Sequence, residues 1–300
     1  MAMSHISMLL SNLHKGALLI LLSELALVLT GVMIHELTRQ VPTEILVLAR
    51  NAMGLMFFVP WLLHNGQRSI ATQHLPLHLT RSLIGIVAMY CLFYSWGHLP
   101  LAQAAVLKQT APFFIPIVGF IWLKERITSW TIMAILVGFI GVWIILNPEK
   151  QTEIPWVALL AILGALLGAT AKVVVRKLTM TESSIVIVFY LSLFNTLFSL
   201  VPALLVWNTP SLWLLAGMAL MAGFATLAQL LLSKGYRYAA AGQLGPFTYG
   251  SVIFASLLGW LLWDELVTSE AMLGMALVVG SGVLVMLGSV KARASNSERV

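Results

Sequence analysis

Charged residues are scarce in this sequence. Asp, Glu, Lys and Arg make up 9% of its 300 residues, against roughly a quarter in soluble proteins, and 60% of the residues are hydrophobic. A bilayer crossing needs about 20 apolar residues, so ten crossings take about 200 residues and leave about 100 for connections and tails. This composition leaves no room for a folded domain outside the membrane and indicates a protein whose main partner is the lipid bilayer.

Signatures of several other protein classes are missing as well. The single cysteine, Cys91, excludes an internal disulfide framework and a cysteine-based metal site. No Gly-x-x-x-x-Gly-Lys-Ser/Thr loop is present to bind ATP phosphates, and neither a Gly-x-Ser-x-Gly elbow nor a His-Glu-x-x-His zinc motif occurs. The net charge of +6 comes from basic residues scattered singly between apolar runs, which is not the pattern of a nucleic-acid interface. We therefore expect no metal, no cofactor, no nucleic-acid partner and no enzymatic activity.

Apolar runs long enough to cross a bilayer recur along the whole chain. Ten such runs occupy Gly16 to Ile34, Glu44 to Leu63, Thr80 to His98, Leu101 to Trp122, Thr128 to Leu146, Pro155 to Val174, Ser184 to Trp207, Ser211 to Ser233, Gly242 to Leu262 and Glu270 to Val290. They predict an all-α integral membrane protein with ten transmembrane helices.

The distribution of Lys and Arg predicts the orientation of these helices. If the N-terminus is cytoplasmic, twelve basic residues fall on the cytoplasmic side: Lys15, Arg68, Arg81, Lys124, Arg126, Arg176, Lys177, Lys234, Arg237, Lys291, Arg293 and Arg299. Only Arg39 and Lys150 fall on the opposite side. The positive-inside rule then places both termini in the cytoplasm.

The chain contains a weak internal repeat with an offset of 140 residues. Between 103 and 129, six of 27 positions are identical to their counterparts: Gln103 and Gln243, Phe114 and Phe254, Gly119 and Gly259, Glu125 and Glu265, Thr128 and Thr268, and Ser129 and Ser269. The repeats, 16–146 and 155–290, hold five helices each and are followed by a basic cytoplasmic tail, 291–300. Because five is odd, the second repeat must cross the membrane in the opposite sense, as in many secondary transporters.

The second repeat carries motifs of a known family. They are Gly235-Tyr236-Arg237-Tyr238, Pro246-Phe247-Thr248-Tyr249, Gly259-Trp260-Leu261-Leu262 and Asp264-Glu265. This half resembles the carboxyl-terminal repeat of the EamA family of the drug/metabolite transporter superfamily. The first half resembles the same repeat more loosely, through Pro112 and Glu125, and departs from it at Lys108-Gln109, where small or apolar residues are expected.

The resemblance implies a carrier that moves a small organic metabolite by alternating access, driven by a gradient. Riboflavin uptake is the first expectation for the substrate, because one branch with this type of second repeat takes up riboflavin and because tyrosines lie within the spans. Uptake of S-adenosylmethionine and export of amino acids or other metabolites are the alternatives in the same class. An intramembrane enzyme with Glu24 as base is the alternative from another class, but no nucleophile or metal group is visible near Glu24 in the sequence.

Ionisable residues within the spans are the best candidates for the transport site, because a charge at this depth persists only if it is paired or faces a water-filled cavity. Glu24, Arg50 with Asn51, and Lys108 with Gln109 fall in one layer of the membrane at 1.5 Å per residue. Glu24 can balance a cation or couple protons, and its partner is either Arg50 or Lys108. Lys172 lies a turn from Arg176 and Lys177, so we expect it to extend to the cytoplasmic surface.

The repeat and the aromatic residues extend this candidate site. The 140-residue offset maps Lys108 to Thr248 and Gln109 to Tyr249. Prolines near both pairs either mark irregular backbone beside a cavity or, as is common in transmembrane helices, have no ligand role. Tyr90 and Tyr94, four residues apart, share a helix face that could stack on a planar ring or line a helix interface.

Two further features of the repeat concern gating and assembly. Glu125 and Glu265 are either conformational latches or solvated residues that precede the N-caps Thr128 and Thr268. The glycines of predicted helices 5 and 10 predict either a homodimer contact or tight packing within one chain.

Overall fold

The computed structural model describes residues 2–111, 113–114, 117–118, 121, 129–146, 156–178, 181–238 and 244–297. These ranges contain eleven α-helices: α1 (Ala2–Leu37), α2 (Thr43–Met56), α3 (Val59–Asn65), α4 (Leu75–His98), α5 (Leu101–Lys108), α6 (Ser129–Leu146), α7 (Trp156–Leu178), α8 (Ser184–Leu205), α9 (Leu212–Tyr238), α10 (Gly250–Trp263) and α11 (Ser269–Ser297). Two short 3-10 helices, Gln67–Ile70 and Gly245–Tyr249, accompany them, and the described residues between 111 and 121 are also helical.

The all-helical membrane architecture predicted from the sequence is confirmed in its coarse form. Six helical segments among the described residues are long and apolar enough to cross a membrane, and three shorter apolar helices accompany them. The predicted fourth span differs, because α5 ends at Lys108 instead of continuing unbroken to Trp122. The total of ten crossings therefore stays a prediction.

The helix contacts are related by exchange of the two repeats. Helix α1 of the first repeat packs on α9 of the second, and its counterpart α7 in the second repeat packs on α4 of the first. Helix α1 also contacts α10, and α7 likewise contacts α5. The α2–α8 and α6–α11 contacts each join a helix to its own counterpart, and the α5–α10 contact joins the first half of the predicted fourth span to the second half of the predicted ninth span. A packing scheme that survives this exchange is the arrangement expected of two structural repeats around a pseudo-two-fold axis.

Small residues let α6 and α11 approach closely within one chain. A Cβ atom at Gly141 would lie 2.7 Å from the backbone oxygen of Gly274 and 2.9 Å from the Cβ of Leu277. Close backbone approach at glycines is how helices gain contact in lipid. These contacts agree with the interpretation of the glycines as residues for tight packing within one chain. The homodimer contact stays a prediction.

A Gly141→Ala variant should therefore unfold several degrees below the wild type, because overpacking against a rigid backbone oxygen costs about 1–3 kcal/mol. Thermal unfolding in detergent measures the shift. Gly280→Ala on α11 is the matched control, since an added Cβ there meets no described atom within 4 Å. Equal unfolding temperatures for the two variants would contradict this packing.

Candidate functional site

Glu24 and Lys108 form an ion pair inside the helical assembly. The Nζ of Lys108 donates to Oε2 of Glu24 at 2.9 Å, and the side chains are 18% and 6% exposed, respectively. Glu24 lies on α1 of the first repeat, and Lys108 is the last residue of α5. Of the two partners that the sequence left open for Glu24, the structure therefore selects Lys108.

Both repeats interrupt a helix at the level of this pair. Helix α5 ends at Lys108, and Gln109 and Thr110 form a turn. In the second repeat the 3-10 helix Gly245–Tyr249 precedes α10. The repeat offset maps Lys108 to Thr248, so the two interruptions are symmetry-related, and irregular backbone, one of the two interpretations of the prolines, is present. Interrupted helices at corresponding positions are typical of the binding sites of inverted-repeat transporters.

Gln109 connects the two interruptions. Its Nε2 donates to the backbone oxygen of Thr248 at 2.5 Å and to the Oγ of Ser251 at 2.6 Å. Gln109, Thr248 and Ser251 are all buried. The Gln109 amide therefore adds a second side-chain donor to the Thr248 carbonyl, which also accepts from Oγ of Ser251 at 3.0 Å, and it joins the first repeat to the second.

Arg50 and Asn51 pair with each other on α2. The Nη1 of Arg50 donates to Oδ1 of Asn51 at 2.7 Å, and Nδ2 of Asn51 donates to the backbone oxygen of Val47 at 2.8 Å. The second contact fixes the amide orientation, so its oxygen faces the guanidinium. Both side chains are buried, and among the described residues Arg50 forms no ion pair with a carboxylate.

The tyrosines occupy different environments. Tyr94 stacks on His98 with ring centroids 4.0 Å apart and also lies 5.0 Å from Trp156, so its ring already has aromatic partners. The hydroxyl groups of Tyr90 and Tyr249 are buried and contact no hydrogen-bonding group in the described part of the chain. Tyr249 also lies on the wall of an apolar cavity of about 710 Å³ that α10 and α11 border. Of the three rings, those of Tyr90 and Tyr249 are the ones with hydroxyls that a ligand would satisfy.

Glu265, between α10 and α11 of the second repeat, contacts the start of α5. Its Oε2 accepts a hydrogen bond of 3.0 Å from the backbone nitrogen of Leu101, the first residue of that helix. Gly259 leaves room for the Glu265 carboxylate, because a Cβ atom at Gly259 would lie 2.5 Å from its Oε2. Glu265 is therefore held by a helix N-terminus instead of being only solvated, and Thr268 accepts from the nitrogen of Ala271 as an N-cap would. Glu125, its counterpart in the repeat, lies outside the described residues.

Comparison with known proteins identifies the family. The EamA-like transporter family model matches the chain twice, over residues 14–147 and 155–287. The chain belongs to the EamA-like transporter family. Members of this family are transporters and not enzymes, so the expectation of a membrane transporter is confirmed in general terms.

The relatives of this EamA protein have different named substrates. A riboflavin transporter of Vibrio cholerae is 30% identical over 88% of this chain and 90% of its own length. A pseudopaline exporter of Pseudomonas aeruginosa is 27% identical over 94% of this chain and 97% of its own length. An S-adenosylmethionine uptake transporter of Rickettsia bellii is 23% identical over 78% of this chain and 80% of its own length.

One solved crystal structure supports the fold alone. It superposes with a TM-score of 0.63 at 19% identity and covers 94% of this chain and 98% of its own.

The structure adds three polar residues that sequence reasoning missed or misplaced. Lys172 is half-buried and lies close enough to Lys108 and Glu24 to interact with both, instead of extending to the surface as expected. Arg81, assigned from the sequence to the cytoplasmic side, is buried within α4. Asn195 is buried on α8. A lone amide in an apolar helix was the one sequence signal for Asn195.

Proposed function

We propose that this EamA protein is a secondary transporter of the bacterial inner membrane that carries a small polar metabolite by alternating access, with riboflavin uptake as the first candidate activity. The observation that carries this proposal is the Glu24–Lys108 ion pair beside two symmetry-related helix interruptions that Gln109 bridges. Riboflavin is the first candidate because relatives named as riboflavin transporters align with most of this chain. The distribution of Lys and Arg supports an orientation with both termini in the cytoplasm.

In this proposal the candidate residues have distinct roles. Glu24 balances Lys108 or couples protons, while Lys108 and Arg50 orient polar substrate atoms, with Asn51 holding the guanidinium in place. Tyr249 and Tyr90 offer buried hydroxyls and ring faces to the substrate. Tyr94 has an indirect role, because its own ring is already stacked on His98.

Glu265 acts as a latch in the same proposal. Its hydrogen bond to Leu101 closes one end of the assembly between the second repeat and α5. Opening at that end requires this bond to break, and the repeat assigns the equivalent role at the other end to Glu125.

Export of an anionic metabolite is the second candidate. It is favoured by the excess of buried basic groups, since Arg50, Arg81, Lys108 and Lys172 lie within helices of the assembly and only Glu24 forms an ion pair with any of them in the described part of the chain. This excess opposes a cationic substrate such as S-adenosylmethionine, because like charges at low dielectric repel strongly.

Ligand-induced stabilisation separates these candidates. Thermal unfolding of the purified protein is recorded with riboflavin, S-adenosylmethionine, nucleosides, amino acids and dicarboxylic acids, because a ligand that binds only the folded state raises its apparent stability. Uptake of labelled riboflavin into proteoliposomes, with and without a pH gradient, then tests transport.

A saturable shift with riboflavin, together with gradient-driven uptake, is the expected result. A shift with an amino acid or dicarboxylate but none with riboflavin would overturn riboflavin as the substrate and leave the transporter function standing. Proteoliposomes that move none of the ligands that bind would overturn the transport proposal itself.

A further inference from the structure

A buried polar seam lies between α2 and α8. Arg50 and Asn51 contribute to it from α2, and Ser192, Asn195 and Ser199 contribute to it from α8; all five side chains are buried. The three α8 residues are spaced by three and four positions, so they share one face of that helix. Polar groups at such a depth are costly in a membrane protein and persist where they have a partner or a function.

Two contacts set the register of α2 against α8. Phe58 lies two residues beyond the end of α2, and its ring contacts that of Phe189 edge to face, with centroids 6.3 Å apart. Four residues before Phe58, a Cβ atom at Gly54 would lie 3.8 Å from Oγ of Ser192, which is three residues after Phe189. Because residue numbers fall on α2 while they rise on α8, the two helices run antiparallel.

One further step of this register pairs Arg50 with Asn195. The step is again four residues back on α2 and three residues forward on α8, and each covers about one helical turn. Helix α4 borders the same level, because Nδ2 of Asn51 lies 3.4 Å from Sδ of Met89. Asn195 therefore lies at the level of Arg50, where α2, α4 and α8 contact one another.

The side chain of Asn195 has hydrogen-bonding groups that the chain leaves unused. It is fully buried, and neither Oδ1 nor Nδ2 has a hydrogen-bond partner among the residues that the structure describes. Two neighbours in the seam are satisfied, since Oγ of Ser199 donates to the backbone oxygen of Asn195 at 2.6 Å and Nδ2 of Asn51 donates to that of Val47. A buried amide without partners costs free energy that an apolar side chain of the same shape would not cost. A ligand that completes both hydrogen bonds accounts for an amide at this position.

We propose that Asn195 is a specificity-determining contact of the transport site and binds a planar ring edge that presents a hydrogen-bond donor and an acceptor side by side. Such an edge pairs with Oδ1 and Nδ2 at once, as asparagine pairs with the edge of adenine in nucleic acids. A carboxylate only accepts hydrogen bonds, so it would leave Oδ1 without a donor. Arg50, opposite Asn195 and without a carboxylate partner in the described part of the chain, supplies a donor to a further acceptor of the ring.

Two kinds of ring carry an edge of this type. The imide of riboflavin has N3–H between two carbonyl groups, and adenine in a nucleoside has an amino group beside a ring nitrogen. This inference rests on the proposed function, which makes riboflavin the first ligand to test. Adenosine is the second, because it carries the other edge without the positive charge of S-adenosylmethionine.

Direct binding to the purified wild-type protein is the first test. Riboflavin, 3-methylriboflavin and adenosine are titrated, and affinity is measured by calorimetry and by the shift in unfolding temperature. The methyl group of 3-methylriboflavin replaces the N3 hydrogen and removes the donor. We expect this analogue to bind at least about tenfold more weakly than riboflavin, because a site built around a hydrogen bond rejects an analogue that lacks it.

Asn195→Leu should weaken riboflavin binding at least about tenfold and leave the ligand-free protein at least as stable as the wild type. The substitution keeps the branched shape and removes two polar atoms that have no partner in the described part of the chain, so the unfolding temperature should stay equal or rise. Asn195→Ala leaves room for the methyl group, so this variant should no longer distinguish the two flavins.

Asn208→Leu, in the exposed connection between α8 and α9, is the matched control and should equal the wild type in both measurements. Circular dichroism and monodisperse elution establish that each variant is folded. The comparison of the two flavins on the wild-type protein keeps the test decisive if a variant does not fold.

Several outcomes would overturn the proposal. They are equal affinity of the wild type for riboflavin and 3-methylriboflavin, unchanged ligand affinity in folded Asn195→Leu, and a ligand-free Asn195→Leu that unfolds well below the wild type, as the loss of a structural amide would cause. Riboflavin transport with unchanged affinity in Asn195→Leu removes only this contact. Adenosine binding that Asn195 controls, without riboflavin binding, supports the contact and removes riboflavin as the substrate. A wild-type protein that binds neither compound overturns this inference, and the other ligands then test the transporter function on their own.

Discussion

A Lys108→Met variant should transport at least about tenfold more slowly than the wild type while remaining folded. Lys108 is the cation that lies 2.9 Å from Glu24, and it marks the point where α5 is interrupted. Removing one partner of a buried pair is usually destabilising, because the other charge stays buried without compensation. Lys172 lies within electrostatic range of Glu24 and reduces that penalty, so we expect the loss to appear in transport more than in folding.

The double variant Glu24→Gln/Lys108→Met separates a structural pair from a functional one. It removes both charges at once, and replacing a buried ion pair by neutral side chains is often tolerated in stability. If the pair only holds α1 to α5, the double variant should recover transport. We expect it to stay inactive, because the substrate or proton site is then missing.

Proteoliposome uptake and thermal unfolding measure these two effects independently. Lys177→Met is the matched control, since this lysine is exposed at the end of α7 and the substitution is the same. Wild-type transport in the double variant would show that the charges are structural and would remove Glu24 and Lys108 from the site.

The sequence predicted the broad fold because hydropathy acts over windows of about 20 residues and tolerates errors at single positions. The same reasoning identified Glu24 and Lys108, since a charge within an apolar run stands out whatever its neighbours are. It could not choose between Arg50 and Lys108 as the partner of Glu24. That choice depends on which helices are neighbours, and α1 contacts α5 at this level.

The burial of Arg81 was not predicted, because the helix α4 is longer than its apolar run. The apolar run begins at Thr80, so Arg81 reads as a residue at the membrane boundary. The helix itself begins at Leu75, and Arg81 therefore lies more than a turn inside it, buried against neighbouring helices. The prediction for the Lys172 side chain failed for a related reason. The direction of a long side chain is set by its packing partners and not by its distance from the end of the helix.

A Gln109→Leu variant should also transport at least about tenfold more slowly than the wild type. The substitution removes the hydrogen bonds from Nε2 to the Thr248 carbonyl and to the Ser251 hydroxyl, two groups that are buried in the second repeat. These two groups keep the hydrogen bond of 3.0 Å between them, and each lost bond costs about 0.5–1.5 kcal/mol, so the unfolding temperature should fall as well. Gln103→Leu, a substitution at a half-buried position of the same helix, is the matched control.

The kinetic form of this loss distinguishes a coupling role from a binding role. In the structure both bonds of the Gln109 amide go to the opposite repeat, and alternating access requires the two repeats to move relative to each other around the site. We therefore expect the maximal transport rate to fall while the dissociation constant of the ligand, measured without transport, stays near the wild-type value. A weaker ligand affinity at an unchanged maximal rate would instead make Gln109 a substrate contact, and an equal loss in Gln103→Leu would remove any special role for the bridge.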